Sequence, residues 1–377
     1  MELIANNSQS LISFIGHACS NADSRQTGIQ SFEFVSIVSK GGQLEITGSN
    51  GNQSFTRICE IADVQAKGDG QLCVDAEKLS QVVRALPKNT PVKLKAVKGK
   101  DRALISCGRS RLQLKTIDSK EYPTVDMLDD TAINFNLPAK EFVSLLNDVI
   151  YAAGRNDVRN FLNGIYLNVA KNYLYASASD GHRMTASKIQ IDKDVAKMGI
   201  LLPIRSMEVF TRLSEAAETI KVSFSESRAE FNWGGLVYRT ALIDAKYPDI
   251  TRLIPTKCES QIKVNRAEFV EVLKRLMVMV SGERSQKVKI STSDNQIQLH
   301  TIIENEEDGL GEDFVSAEVG GSKIDYEYGV NPKYLLDALN HMYTDEVSMG
   351  FTGANESCCL SPVGAVTSKA LIMPVRL

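Results

Sequence analysis

The sequence predicts an α+β fold in three tandem copies, each with two helices and an antiparallel sheet. The main observation is an internal repeat: similar segments start at Val74, Leu202 and Val330, 128 residues apart each time. In each segment an apolar strand end is followed by a cap or a proline and then by an amphipathic helix. The second observation is a composition typical of folded globular proteins, with 43% hydrophobic and 24% charged residues.

A second helix repeats as well. Phe142 and Leu146 in "AKEFVSLLNDV" correspond to Phe269 and Leu273 in "RAEFVEVLKRL", and "SQSLISFIGHA" is a weaker counterpart in the first third. Their apolar residues recur at the spacing of one buried helix face. Alternating stretches with turn residues, such as "NYLYASASDGH", indicate short strands. We therefore place three domains at residues 1–128, 129–255 and 256–377.

Residues 179–182 place a serine, an aspartate and a histidine within four positions, which suggests a catalytic triad. However, "ASDG" ending at Gly181 corresponds to "GSNG" ending at Gly51, where no histidine follows. Asp-Gly and Asn-Gly supply the positive φ of a tight turn. The chain also lacks a nucleophile elbow. The sequence thus predicts a turn here and no catalytic residue.

No metal site and no cofactor site are predicted either. The four histidines are scattered and no cysteine pair has the spacing of metal ligands. Glycine-rich nucleotide motifs are absent. The seven cysteines are expected to be reduced thiols of a cytoplasmic protein, because the start of the chain lacks the features of a signal peptide.

The charge distribution gives a positive signal. A net charge of -3 argues against a nucleic-acid partner for the average surface, but basic residues accumulate between Val74 and Arg102 and on the predicted helices. If equivalent helices face the same way, these charges form one surface that could hold phosphates. The alternative is a set of ordinary solvated helix faces.

Five motifs occur in a characteristic order: "CGRSRLQL" (107–114), "NDVRNFLNGIYL" (156–167), "SDGHRM" (179–184), "YPDITRLIP" (247–255) and "MPVRL" (373–377). In this order the chain resembles, over essentially its whole length, the bacterial sliding clamp, the beta subunit of DNA polymerase III. The resemblance implies that each subunit is a half-ring of three domains and that two subunits dimerise head to tail into a closed ring. Helices would line a basic hole, and sheets would form an acidic outer wall.

The function implied by the resemblance is that of a processivity factor and not of an enzyme. The ring would encircle duplex DNA without reading its sequence. Its partners would be the DNA polymerase III catalytic subunit, a clamp loader that uses ATP, and other clients with clamp-binding peptides. The DNA-facing residues implied by position are Arg25, Asn156, Asn160, Phe161 and Arg205. Near Arg25 the segment "QTGIQSF" departs from the family's Thr-x-Pro-Ile-Leu pattern, and Asn160 stands where an aromatic residue is common.

The resemblance also implies two protein interfaces. The dimer contact would join Lys78, Arg109, Arg111 and Leu112 of one subunit to Met279, Val280, Glu304, Glu306, Glu307 and Asp308 of the other. A pocket for client peptides would lie between the second and third domains, with Gly181 admitting a peptide backbone and His182 and Arg183 supplying polar edges. Its implied residues are Leu162, Ser179, Gly181, His182, Arg183, Met184, Pro248, Arg252, Leu253, Asn355, Ser357, Leu371, Ile372, Met373, Pro374, Val375 and Arg376.

Three alternatives stay open at the level of sequence. The apolar C-terminal "LIMPVRL" would also suit a strand that merely completes the third sheet. An enzyme could use an unrecognised site, in which case turnover would vanish in a His182→Ala variant. A diverged clamp of a plasmid or phage could serve another set of clients, a reading that the altered first domain and Asn355 leave open.

Overall fold

The computed structural model describes the chain except for residues 26, 60–63, 98, 125–127, 129–131, 192–197, 215, 251–252, 256, 283–285, 294, 304–309, 322–327 and 365–367. The expected domain limits at 128/129 and 255/256 lie beside such ranges and remain predictions. Arg252 and the acidic residues Glu304, Glu306, Glu307 and Asp308 also lie outside the described residues.

The first third contains two helices and nine strands among its described residues. They are β1 (Glu2–Ala5), α1 (Ser8–Asn21), β2 (Phe34–Lys40), β3 (Gln43–Ser49), β4 (Gln53–Cys59), β5 (Val64–Lys67), β6 (Gly70–Asp75), α2 (Ala76–Ala85), β7 (Val92–Ala96), β8 (Arg102–Cys107) and β9 (Ser110–Ile117). Short 3-10 turns occupy Gln30–Glu33 and Ser119–Glu121.

Among their described residues, the other two thirds repeat this order without a counterpart of β5. The second contains β10 (Ile133–Pro138), α3 (Ala139–Ile150), β11 (Gly164–Ala170), β12 (Tyr173–Ser179), β13 (Arg183–Gln190), β14 (Met198–Pro203), α4 (Ile204–Leu213), β15 (Thr219–Phe224), β16 (Arg228–Trp233) and β17 (Leu236–Ala241), with a 3-10 turn at Asn160–Asn163. The third contains β18 (Ser260–Asn265), α5 (Arg266–Met279), β19 (Lys287–Ser293), β20 (Gln296–Ile302), β21 (Glu312–Gly321), β22 (Tyr328–Val330), α6 (Pro332–Asn340), β23 (Glu346–Phe351), β24 (Cys358–Pro362) and β25 (Ser368–Ile372). The predicted α+β class with antiparallel strands is confirmed.

The helices form where the repeat predicts them, and local chemistry explains their starts. Asp75 accepts a hydrogen bond from the backbone N–H of Lys78 at the start of α2, and Asn331 does the same for Lys333 at the start of α6. Each bond satisfies a backbone donor that has no partner inside the helix. The residues in register on the apolar faces, Leu79, Met207 and Leu335, are all fully buried.

The chain folds into two compact units, which do not coincide with the three repeats. One unit comprises residues 1–139 and 214–242, and the other comprises 140–213 and 243–377. The middle third is therefore divided. The physical reason is strand pairing, since β17 pairs with β4 in the first unit and β13 pairs with β25 in the second.

Each unit contains one continuous antiparallel sheet. In the first unit the strand order is β10-β15-β16-β17-β4-β3-β2-β6-β9-β8-β7-β1-β5. In the second unit it is β14-β11-β12-β13-β25-β24-β23-β18-β21-β20-β19-β22. In β7 and β8, alternate residues are buried, so one face of the sheet there belongs to the core and the other faces outward.

All seven cysteines have free thiols, as expected. Burial raises the pKa of Cys19 to about 12 and that of Cys359 to about 11, so both thiols stay protonated near neutral pH. No helix in the described ranges is long and apolar enough to cross a membrane.

The close packing of α1 on β3 gives a stability prediction. A Cβ atom on Gly48 would overlap the carbonyl oxygen of Ala18, whereas one on Gly16, within α1, would meet no atom within 4 Å. We expect Gly48→Ala to lower the free energy of unfolding by about 3 kcal/mol. Gly16→Ala should raise it by about 0.5–1 kcal/mol, because alanine favours a helix interior over glycine. Urea denaturation measures both, and equal effects would contradict the packing described.

Candidate functional site

The second unit contains a cavity of about 360 Å³ at the ends of its central strands. The residues that line it are Arg159, Phe161, Leu162, Ser179, Gly181, Arg183, Met184, Tyr247, Pro248, Ile250, Leu253, Glu356, Ser357, Leu371 and Met373. Most are apolar, which suits a site that buries hydrophobic side chains of a ligand.

The floor of this cavity is built from two adjacent strands, and a third strand packs beside them. Met184 of β13 stands directly opposite Leu371 of β25, and Leu371 stands opposite Cys359 of β24. These three residues form one buried cluster, against which Ile250 and Ile254 pack. The floor therefore exists only because a strand of the middle third pairs with the final strand of the last third.

The segment Ser179–Arg183 forms one wall, and its polar groups are used in a tight turn. The Ser179 hydroxyl donates to the Arg183 carbonyl at 2.7 Å and accepts the Gly181 N–H at 3.1 Å. The Asp180 carboxylate accepts the N–H groups of His182 and Arg183. Gly181 has a φ of 88°. The predicted turn is confirmed, and the serine and aspartate of the apparent triad serve the backbone.

The same turn recurs in the first unit. Asn50 accepts the N–H groups of Asn52 and Gln53, as Asp180 does for the residues that follow it, and Gly51 has a φ of 90°. The Ser49 hydroxyl likewise donates to the Gln53 carbonyl at 2.9 Å. The repeat thus predicted the geometry of this wall correctly.

The first unit nevertheless lacks an equivalent floor. In both units the residue after the turn glycine accepts a bond from the incoming strand: Ala241 N–H donates to Asn52 O, and Met373 N–H donates to His182 O. By this correspondence, the pair Ser54 and Arg239 replaces Met184 and Leu371. Arg239 is buried and forms an ion pair with Glu230 at 2.7 Å. A charged group at this position removes the apolar surface.

Comparisons with known proteins cover nearly the whole chain. Residues 1–126, 136–249 and 251–376 match the N-terminal, central and C-terminal domains of the DNA polymerase III beta subunit. The chain belongs to this family, the bacterial sliding clamps. A beta sliding clamp of Pseudomonas putida is 25% identical over 345 residues, which is 91% of each chain. That of Rickettsia bellii is 24% identical and covers 98% of each chain.

Solved structures of clamps share the fold. The beta subunit of Pseudomonas aeruginosa matches with a TM-score of 0.91 at 23% identity, over 100% of both chains. The clamp of Bacillus subtilis matches with a TM-score of 0.92 at 23% identity, over 100% of this chain and 99% of that one. Another structure of the Pseudomonas aeruginosa clamp contains bound griselimycin, with a TM-score of 0.91 and 23% identity over all of both chains. The expected clamp fold is confirmed.

Many residues that the clamp resemblance assigned to the peptide pocket do line the cavity: Leu162, Ser179, Gly181, Arg183, Met184, Pro248, Leu253, Ser357, Leu371 and Met373. Others do not line it: His182, Asn355, Ile372, Pro374, Val375 and Arg376. The His182 ring stacks against Tyr334, with ring centroids 6.4 Å apart, and Ile372 is buried. Val375 fixes the chain end through its N–H, which donates to the Gly329 carbonyl at 2.9 Å.

Arg183 was expected to give the pocket a polar edge, but most of its side-chain contacts are with other residues of the protein. Its side chain is only 11% exposed. Its guanidinium donates to Asp180 at 3.0 Å, to Asp337 of α6 at 2.6 Å and to the Tyr151 carbonyl at 2.9 Å, and it lies 4.6 Å from the Tyr334 ring centroid. These contacts tie the turn to the end of α3 and to α6, so few donors remain for a ligand.

The space beside Gly181 is occupied by an arginine. A Cβ atom there would lie 2.9 Å from Nη2 of Arg159, and the expected approach of a peptide backbone at this glycine stays a prediction. Arg159 is 51% exposed and pairs with Asp157 at 3.0 Å. Hydrogen bonds from Arg159 hold the pKa of Asp157 at about 2, so the carboxylate stays ionised. Arg159 is the cation that the cavity presents to solvent.

Sequence reasoning did not assign Arg159, Phe161, Tyr247, Ile250 and Glu356 to the cavity. Phe161 packs edge-on against Tyr247, which stacks on Tyr166 at 4.6 Å between ring centroids. Phe161 had been expected to face DNA, and the structure places it in the pocket wall. Two of these residues could have been found from their position in the sequence, because Phe161 directly precedes Leu162 and Tyr247 directly precedes Pro248, which were both assigned to the pocket.

The other expected DNA-facing residues do not line the cavity. Arg25 pairs with Asp23 at 2.7 Å, which neutralises its charge locally. Arg205 on α4 donates instead to the neutral amide oxygen of Asn156 at 2.9 Å. Asn160 is exposed. Of the two arginines, Arg205 is therefore the better placed to offer its charge to a phosphate.

The expected dimer-contact residues differ in exposure. Lys78, Arg109 and Arg111 are exposed. Leu112 and Met279 are 41% and 39% exposed, which is high for large apolar side chains. Val280 is fully buried, whereas Val278 on the same helix is 70% exposed.

The two arginines of the cavity give a matched pair of variants. Arg183→Gln should lower the free energy of unfolding by about 2 kcal/mol, because it leaves two partly buried carboxylates without their main partner. Arg159→Gln should cause no measurable change, since exposed ion pairs contribute little. Urea denaturation provides the comparison. A smaller loss for Arg183→Gln than for Arg159→Gln would contradict the structural role of Arg183.

Proposed function

We propose that the chain is a DNA polymerase processivity factor of the cytoplasm, a homodimeric ring that encircles duplex DNA and tethers the replicative polymerase. The carrying observation is the apolar cavity on the β13 and β25 pair, in a chain that belongs to the sliding clamps. A clamp loader that uses ATP opens the ring. The clamp itself performs no chemical step, and Ser179 and Asp180 are used in the turn.

The repeat supports ring closure through a strand pair between subunits. Within the chain, the last strand of the second third pairs with β4, and that of the last third pairs with β13. The last strand of the first third is β9, and the strand equivalent to β4 in the last third is β21. Among the described residues, no strand pairs with the outer edge of Ser110–Lys115 or of Glu312–Ser316. Open edges of this kind are templates for another strand.

The hairpins define the register of this intersubunit pair. Ser110 follows a two-residue turn after Cys107, as Leu236 does after Trp233. Leu236 pairs with Arg57. Position 57 corresponds to Asp313, because Leu44 and Ile297 are equivalent and pair with Cys59 and Val315. We infer that Ser110 of one subunit stands opposite Asp313 of its partner.

This register places complementary side chains together. Arg111 falls opposite Glu312 and Leu112 falls opposite Gly311. A Cβ on Gly311 would lie 3.1 Å from Cγ of Met279. The glycine thus leaves space for Leu112 to cover the exposed Met279. Apolar contact would exclude water, and the charge pair would fix the register.

DNA would be held topologically, so the contacts need only be weak and blind to sequence. The six helices carry more basic than acidic residues. The basic residues are Lys78, Arg84, Lys140, Arg205, Arg212, Arg266, Lys274, Arg275 and Lys333, and several pair with acids. Partial neutralisation suits sliding, because no phosphate is held strongly.

The ring is tested by its mass and by its retention on DNA. Light scattering should give a dimer for the wild type, and Arg111→Glu should shift it toward monomer because it faces Glu312 with a like charge. The double variant Arg111→Glu with Glu312→Arg should restore the dimer. Clamp loaded on circular DNA should remain bound and should leave when the circle is linearised. A monomeric wild type, or equal retention on linear DNA, would overturn the ring.

The pocket is tested by binding of the replicative polymerase's catalytic subunit from the same organism. Leu253 and Met373 line the cavity and are exposed at its rim, so their truncation should leave the fold intact. Leu253→Ala with Met373→Ala should weaken binding at least tenfold, since each loses apolar contact with a client anchor. The control is Val158→Ala, because Val158 is 96% exposed and does not line the cavity. Undiminished binding would assign the client contact to another surface.

A further inference from the structure

The first unit presents a strongly basic surface on the sheet face that points away from its core. It lies on the strands β5-β1-β7-β8-β9 and consists of Lys67, Lys93, Lys95, Arg102 and Lys115, here called the basic sheet face. All five side chains are exposed. The residues between them, such as Leu94 and Ala103, point to the opposite face and are fully buried.

This surface differs from the two surfaces that the sequence suggested. The basic run between Val74 and Arg102 was expected to lie with the helices, and the outer wall was expected to be acidic. The structure divides the run: Lys78 and Arg84 belong to α2, whereas Lys93, Lys95 and Arg102 belong to the sheet. Here the outward sheet face is basic, although the whole chain has a net charge of -3.

The charges on this face are poorly compensated. Arg102 stands directly opposite Lys115 on the neighbouring strand. Like charges in such a pair destabilise a sheet. Lys67 and Lys95 flank Glu2, the only acid among the described strand positions of this face. Across the described part of the chain, none of the five basic residues forms an ion pair, although Lys115 lies over the Phe34 ring at 5.5 Å.

The repeat offers an internal comparison, because equivalent strands in the other thirds carry only part of this charge. In the second third Lys93 and Arg102 have basic counterparts, Lys221 and Arg228, whereas Lys95 and Lys115 correspond to Ser223 and Ala241. In the last third Lys93 and Lys95 correspond to Ser348 and Gly350. The complete basic sheet face is thus particular to the first third. Packing of the sheet does not require it, since the other copies form the same strands without it.

The chemistry of the face identifies its partner. No large exposed apolar residue lies on it, so it lacks the anchor that a protein interface usually has. The backbone positions of Lys93 and Lys95 lie about 7 Å apart along one strand, and those of Arg102 and Lys115 lie about 5 Å apart on neighbouring strands. A flexible single strand can lay successive phosphates over such a flat array, whereas a stiff duplex touches a flat surface at few points. We propose that the basic sheet face binds the backbone of single-stranded DNA without reading its sequence.

This site is separate from the DNA contacts proposed for the helices. Helix α1 packs against β3, with Ala18 in contact at Gly48, and its buried residues face the core side of the sheet. The basic sheet face points the other way. A strand bound there would lie outside the ring, so the inference does not require the ring to close.

The test uses the full-length clamp and a fluorescent linear oligothymidylate of about 20 nucleotides. The variant Lys93→Gln, Lys95→Gln, Arg102→Gln should bind roughly tenfold more weakly at low salt. The slope of log K against log salt should fall by about 2, since three phosphate contacts at about 0.7 each are lost. The matched control is Lys221→Gln, Lys246→Gln, Lys257→Gln, which removes the same charge from exposed positions elsewhere and should bind like the wild type.

A second measurement locates the bound strand. The oligonucleotide should protect Lys93 and Lys95 from acetylation and leave Lys221 and Lys257 reactive, as read by mass spectrometry. Protection confined to Lys140 and Lys274 on the helices would overturn the inference while supporting DNA in the hole. Equal weakening in both triple variants would also overturn it. A third outcome is that polyglutamate binds more tightly than the oligonucleotide and loses this binding in the triple variant of Lys93, Lys95 and Arg102. That result would overturn the inference and assign the face to an acidic protein.

Discussion

The structure depends on one repeated interaction, the antiparallel pairing of a repeat's last strand with the fourth strand of the repeat before it. β17 adds to β4, and β25 adds to β13. Backbone hydrogen bonds of this kind are strong where water is excluded and fix the register of both strands. They explain why the middle third is shared between the two compact units. Among the described residues, the outer edges of Ser110–Lys115 in β9 and of Glu312–Ser316 in β21 are the places in this series where no strand of the chain is added.

The same interaction produces a binding site at one junction and not at the other. The paired strands and the tight turn have the same backbone arrangement in both units. In each unit the incoming strand also donates a hydrogen bond to the carbonyl of the residue after the turn glycine, Asn52 or His182. The side chains on the frame then decide the outcome. Met184 and Leu371 give a floor that prefers apolar groups, whereas Arg239 with Glu230 fills the equivalent place with a charge pair. Function here is a property of a few side chains on a duplicated scaffold.

Much of the fold followed from the sequence, because helix periodicity, caps and Asp-Gly turns are local signals. Leu79, Met207 and Leu335 occupy corresponding positions in the three copies of the repeated helix, and all three are buried. The roles of Arg183 and Arg159 did not follow. The guanidinium of Arg183 is held by Asp337 of a helix that is distant in sequence. The space beside Gly181 is occupied by the guanidinium of Arg159. Partners so far apart in sequence leave no periodic trace. The sequence did not show that Lys93 and Lys95 lie on the outward face of a sheet, because the basic segment Val74–Arg102 begins in a helix and continues into strands.

The distance in sequence between β13 and β25 has a consequence for biosynthesis. A ribosome finishes β13 long before it begins β25, so the nascent middle third displays Met184 and an open strand edge without the rest of the cavity floor. Until then, that edge can attract any extended chain nearby. Completion of the last strand both closes this edge and creates the cavity. A truncated translation product would therefore lack the means to compete with finished subunits for their ligands.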